Sequence, residues 1–301
     1  MASDYHIPVL AQESVALMNI APDSTCVDLT FGGGGHSRLI LDALGPDGRL
    51  YSFDRDADTA ANIPNDARLN YVAANFKYMR SVLRYHGVVQ ADAILADLGV
   101  SSHHFDNISR GFSFRGDAPL DMRMNRRSGR TAADVVNEAT NEMLTAIFRD
   151  YGELETPWKI ANCIERARSA SPILTTAQLV EAVRPCTPRS AEAKFLTKLF
   201  QALRIEVNGE MEALKMALEQ SLRLLRPGGR LVVISYHSLE DRLVKNFMRN
   251  GRFDGECETD FYGRRQVPFE PVTRKAVVPS AEEIARNPRS RSAKLRAATK
   301  L

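Results

Sequence analysis

The first third of the chain alternates short β-type runs with helical stretches, and this alternation restricts the fold more than any other feature. Thr25–Phe31, Leu50–Phe53, Leu69–Ala73 and Ala93–Leu98 read as strands, separated by segments of helical spacing such as Val9–Met18 and Leu39–Leu44. Strands joined through helices make βαβ crossovers, and these build a parallel sheet. The rhythm breaks at Asp97. From there to Arg130 almost no periodicity remains, although Phe105, Phe112, Phe114 and Met122 argue against simple disorder. From Thr131 to about Asn208 the pattern is helical throughout. A first helix carries Val135, Ala139, Met143, Ile147 and Tyr151 on one face, and others follow at about 156–170, 176–183 and 190–208. An amphipathic helix through Met211, Leu214, Leu218 and Leu225 then ends at Pro227-Gly228-Gly229, and Leu231–Ser235 is again a strand. The predicted architecture is an α/β sheet with an all-helical block inserted between its fourth and fifth strands.

A chain of 301 residues holds one large domain or two ordinary ones. It contains no run of about 18 apolar residues, which argues against a transmembrane helix, and MASDYHIPVL does not read as a signal peptide. The four cysteines, Cys26, Cys163, Cys186 and Cys257, form no C-x-x-C pair. That argues against a zinc site or a disulfide scaffold and fits a reducing, cytoplasmic setting. The net charge of +3 hides an asymmetry. Residues 1–104 hold 7 basic and 12 acidic side chains, whereas residues 242–301 hold 14 and 7. Different surfaces with different partners are expected from such a split.

DLTFGGGGHS, residues 28–37, lies at a strand-to-helix junction, where glycines let backbone amides approach a ligand. A dinucleotide fingerprint fits imperfectly, since counting from Gly32 its last glycine falls on Ser37. A better register is an acid followed by small residues at alternate positions: Asp28, Thr30, Gly32, Gly34. That register resembles motif I of Rossmann-like S-adenosylmethionine methyltransferases. Asp54, closing the second strand, can accept hydrogen bonds from both ribose hydroxyls, a role shared with nicotinamide-dependent enzymes. Asp97 closes the fourth strand, where amino-group methyltransferases place a D/N/S-P-P-Y/F sequence. Here the prolines are Leu98-Gly99 and the aromatic is Val100, so Asp97 can still polarise an amine while Phe105, Tyr236 or His237 supplies the stacking. Ser235, His237 and Asp241 invite a hydrolase triad, but no G-x-S-x-G elbow accompanies them. His103, His104 and Asp106 match no familiar metal-ligand spacing.

HIPVL (6–10), TFGGGGHS (30–37), DRD (54–56), DLGVSS (97–102), RGFSF (110–114), PLDMRM (119–124), FQALRIEVN (200–208), PGGRL (227–231), SYHSLEDR (235–242) and NPRSRSAKLR (287–296) together resemble the bacterial 16S ribosomal RNA cytosine-N4 methyltransferase family. The resemblance implies an S-adenosylmethionine-dependent enzyme of class I, Rossmann-like fold, with residues 1–110 and 208–301 binding the cofactor and 111–207 forming a helical substrate-recognition insertion. Its implied substrate is a cytidine in the decoding centre of 16S rRNA, met as RNA or as the small ribosomal subunit, with a homodimer left open. Carried over position by position, Gly34, Gly35, His36, Asp54, Phe76, Asp97 and His104 are the implied cofactor contacts. The implied catalytic set is Asp97, Tyr236 and His237. Where many members have a His-Pro-Ala-Thr-type stretch, this chain has AEAKFLTKL (191–199). RNA contact is expected from Arg110, Arg115, Arg123, Arg126, Arg127 and Arg130. A second basic group in the tail comprises Arg286, Arg289, Arg291, Lys294, Arg296 and Lys300. An oxidoreductase and a non-catalytic RNA-binding factor remain as alternatives.

Overall fold

The computed structural model describes residues 8–99 and 108–301. The chain divides into two compact units, Met1–Gly99 with Glu212–Leu301 and Val100–Met211. Among the described residues the first unit carries β1 (Thr25–Asp28), β2 (Arg49–Asp54), β3 (Leu69–Ala73), β4 (Ala91–Asp97), β5 (Leu225–Ser235), β6 (Phe269–Pro271) and β7 (Lys294–Lys300). Their order in the sheet is β3-β2-β1-β4-β5-β7-β6, parallel from β3 to β5 and antiparallel at β7 and β6.

Successive residues of the central strands serve opposite faces, as the two-residue period of a strand requires. Cys26, Leu50, Leu95, Val232 and Ile234 pack with Met18, Ile40 and Leu41 of α1 (Ala11–Met18) and α2 (Gly35–Ala43). Their neighbours Val27, Tyr51, Ile94 and Val233 turn the other way. They pack with residues of α3 (Met79–Tyr85), α9 (Glu210–Leu224) and α10 (Ser238–Asn250). A sheet covered on both faces needs near-continuous apolar strands, which is why AILA in β4 and LVVI in β5 are legible.

The tail differs from its sequence reading. Residues 294–300 pair with β5, with Leu295, Ala297 and Ala298 buried. Lys294 and Arg296 sit opposite Asp241 of α10, at 3.2 and 2.7 Å, and the Lys300 ammonium donates to the Leu225 carbonyl at 2.6 Å. Three of the six basic residues assigned to RNA are therefore engaged inside this unit, and the alternating small residues between them form a strand.

In the second unit, α4 (Ala132–Glu138), α5 (Asn141–Asp150), α6 (Pro157–Ala170), α7 (Thr176–Val183) and α8 (Glu192–Asn208) enclose their own apolar core. The single helix expected through Tyr151 is two. Ala139 is extended, and the Thr140 hydroxyl accepts the Met143 amide at 3.2 Å, starting a new helix and leaving Met143 exposed. The aperiodic segment from residue 108 is ordered against this core. Leu120 and Met122 are buried, and Asn208 clasps the segment, its amide donating to Met122 O at 2.8 Å and its carbonyl accepting Met124 N–H at 2.9 Å. The strings PLDMRM and FQALRIEVN thus meet in one contact. No helix among the described residues is long and apolar enough to cross a membrane.

Candidate active site

Chain order reverses between β1 and β4, since β2 and β3 extend the sheet one way and β4 and β5 the other. Crevices for ligands form beyond the carboxyl ends of strands at such a point. Four loops are tied together there. Leu29 N–H donates to Leu95 O (2.9 Å), Phe31 N–H to Phe53 O (2.8 Å), Leu98 N–H to Ile234 O (2.9 Å) and Asp97 N–H to the Thr30 hydroxyl (2.8 Å).

Asp28 anchors the glycine loop from below. Its fully buried carboxylate accepts the Ser37 hydroxyl at 2.6 Å and Thr30 N–H at 3.0 Å. Burial pushes its pKa up, partly offset by Ser37 and His36. Asp54 sits at the end of β2, with Oδ2 accepting Gly32 N–H and Oδ1 accepting Asp56 N–H, both at 2.8 Å. A Cβ on Gly32 would stand in open space, its nearest atom 3.9 Å away, and φ at Gly32 is +52°. The loop therefore presents bare backbone beside a carboxylate, which fits an adenosine ribose. Gly34 caps α2 in the left-handed region, and Gly35 starts that helix against Pro8. Phe76 begins a short turn after β3 and packs half-buried near α3.

Around Asp97 the chain brings together residues far apart in sequence. Oδ1 accepts Gly99 N–H at 3.3 Å, and Oδ2 lies 3.7 Å from His36 Nδ1. The Tyr236 ring lies against Gly99, close enough to this carboxylate for the Asp97 charge to act on its phenol. Burial, followed by the negative charges of Asp97 and Glu240, drives the Tyr236 phenol well above its usual range, so it is a donor at neutral pH. Gly99 is required by the ring, because a Cβ there would lie 2.8 Å from Tyr236 Cε2. His36 is buried, and its Nε2 meets Val9 O at 3.1 Å.

His237 is placed differently from a solvent-facing base. It caps α10, its Nδ1 accepting Glu240 N–H at 3.4 Å. Its Nε2 lies 3.1 Å from Glu240 Oε1 but is not aligned for a hydrogen bond. Glu240, absent from the sequence reading, is buried and accepts Tyr236 N–H at 2.8 Å, fixing the turn that carries the phenol. The serine–histidine–aspartate alternative has no geometry here, since Asp241 is committed to Arg296 and Lys294. His103, His104 and Phe105 lie outside the described residues.

Among the arginines of residues 108–130, Arg110 is buried and donates to Arg123 O and Met124 O at 3.0 and 3.1 Å, so it holds the segment rather than facing a ligand. Arg123 is paired in bidentate fashion with Asp121 (2.7 and 2.9 Å). Arg115, Arg126, Arg127 and Arg130 are exposed.

Known proteins resemble the chain over nearly its whole length. Ribosomal RNA small subunit methyltransferase H of Parabacteroides distasonis is 56% identical over 300 residues, covering 99% of this chain and 98% of its own length. The protein of the same name from Bacteroides thetaiotaomicron is 58% identical over 296 residues, covering 98% and 97%. Among solved structures, an rRNA methylase from Streptococcus thermophilus aligns over 98% of this chain and 99% of its own at 12% identity and a TM-score of 0.44. Residues 3–301 match the MraW methylase family, and the chain belongs to it.

Proposed function

We propose that this enzyme transfers the methyl group of S-adenosylmethionine to N4 of a cytidine in the decoding centre of 16S rRNA. The observation that carries the reading is the Asp97 carboxylate at the topological switch point, accepting the Gly99 amide with His36 and the Tyr236 ring beside it. It stands in a chain more than half identical to relatives named for small-subunit rRNA methylation.

S-adenosylmethionine supplies an electrophilic methyl on a sulfonium. Asp54 would accept its ribose hydroxyls, with the loop of Gly34, Gly35 and His36 and the half-buried Phe76 as further contacts, and His104 is the remaining cofactor contact that the family resemblance implies. Asp97 accepts a hydrogen bond from the exocyclic amine, which orients the nitrogen lone pair and offsets positive charge growing on N4 as the N–C bond forms and the C–S bond breaks to leave the thioether S-adenosylhomocysteine, and the proton that N4 then gives up passes by way of Asp97 to solvent. Tyr236 and His237 border the base, the Tyr236 ring packing on Gly99 beside Asp97. A base edge inside a stack is out of reach, so the cytidine is met unstacked. Domain roles follow the chain order, the sheet unit binding cofactor and the helical insertion recognising RNA.

The test is to incubate the protein with labelled S-adenosylmethionine and unmodified small subunits, then digest the RNA and identify the nucleoside by mass spectrometry. N4-methylcytidine is expected. Methylation at another atom, or binding of NAD(H) without methyl transfer, overturns the reading.

A further inference from the structure

After α10 the chain makes a hairpin that none of the chemistry above uses. Thr259 bridges Arg265, Gln266 N–H donates to Glu258 O at 2.8 Å, and Asp260 N–H donates to Arg264 O at 2.9 Å. The Asp260 carboxylate fixes the tip, accepting Tyr262 N–H (2.9 Å) and Arg264 N–H (2.8 Å). Arg265 ties the base to Asn250 at 2.6 Å. A turn this thoroughly hydrogen-bonded is built to present something. What it presents is Phe261, 98% exposed, and Tyr262, 81% exposed, at right angles with centroids 5.6 Å apart. The Arg264 guanidinium lies 6.0 Å over the Tyr262 ring and, among the described residues, has no carboxylate partner.

We infer that this hairpin tip is a stacking contact for an unpaired nucleotide of the RNA substrate. The inference rests on the rRNA reading and extends it to a site away from the reacting base. Two open π-faces beside a cation match a base and its phosphate. The neighbours Glu258, Thr259, Asp260, Gly263 and Gln266 provide no apolar rim of the kind a protein partner would bury. The 13 residues of α10 separate the tip from the Tyr236–His237 turn by about 20 Å of helix. The contact therefore holds substrate without touching the chemistry.

The experiment measures methyl transfer to unmodified small subunits by wild type, Phe261→Ala/Tyr262→Ala and Arg264→Gln. Isothermal titration of S-adenosylmethionine is run on each. Loss of a stacked base is expected to raise KM for subunits roughly ten-fold or more, with kcat and cofactor affinity unchanged. Arg264→Gln should lower the salt slope of subunit binding by about one. Tyr262→Phe keeps the ring and should keep KM. A double variant with wild-type KM, in an enzyme that methylates subunits, overturns the hairpin contact and leaves the activity standing. A change of oligomeric state in that variant, with KM unaltered, assigns the tip to a second copy of the chain. A wild-type protein that neither binds nor methylates subunits overturns both.

Discussion

Gly99→Ala isolates the coupling between the β4 turn and Tyr236. The new methyl would sit 2.8 Å from Cε2, 3.0 Å from Cζ and 3.2 Å from the hydroxyl oxygen of Tyr236, where ordinary contact starts at 3.4 Å. The ring must retreat by about 0.6 Å, yet the backbone that carries it is fixed by Glu240. Overpacking of this kind costs about 1–3 kcal/mol, visible as a fall of several degrees in Tm. A misplacement near 1 Å in a catalytic constellation costs about 100-fold in rate, so kcat should fall between about 10- and 100-fold. Cofactor affinity should change little, because Gly32 and Asp54 are untouched. The assay is single-turnover methyl transfer to small subunits, with cofactor affinity measured separately. A cycle with Tyr236→Ala sharpens it: with the ring removed, adding Gly99→Ala should cost almost nothing more. Full activity in Gly99→Ala, or equal losses with and without the Tyr236 ring, would refute the reasoning.

Asp97→Ala should abolish transfer while leaving the far-ultraviolet circular dichroism unchanged, and near-normal turnover would remove Asp97 from the reaction. The raised Tyr236 pKa means the folded state holds this proton more tightly than the unfolded one. Its contribution to stability is complete below pH 10 and lost above it, and ultraviolet titration should show one tyrosine ionising only with unfolding. Asp241 is shifted the other way: burial works against its charge, but Arg296 and Lys294 outweigh it. Its stabilisation is present above pH 4 and lost as pH falls through its depressed native value, and Asp241→Asn should cost roughly 3 kcal/mol in urea unfolding at pH 7. Burial and Asp92 push the Cys26 thiol up to about 12, so it should resist alkylation at pH 8 until the sheet unfolds, as peptide mass mapping would show.

What the sequence made legible was local. Strands β1 to β5 announce themselves through apolar runs, and the glycine loop and Asp97 lie in short strings whose chemistry is readable where they stand. The missed elements depend on distant partners. KLRAATK reads as a basic tail because its charges dominate, and only Asp241, brought close by the fold, turns Lys294 and Arg296 into strand residues. Ala139 and Thr140 continue a helical pattern in apolar spacing, and the break depends on a hydroxyl competing for an amide. Likewise, Glu240 was hidden in SYHSLEDR because a buried acid with a backbone partner looks like any charged helix residue until its burial is known. Tyr236 is legible as an aromatic near the site, but its packing on Gly99 beside Asp97 belongs to the sheet, not the string.

The order of strands also dictates a schedule for folding. Residues 132–208 make their core from near neighbours in the chain and can close it as soon as they are synthesised. The sheet cannot, because β4 must wait for β5 across the whole insertion, and β5 keeps an open edge until residues 294–300 arrive. Until then, half of the crevice at the switch point exists as exposed strands waiting for their neighbours, a state prone to aggregation. Loss of β7 should therefore lower soluble yield far more than loss of seven surface residues would.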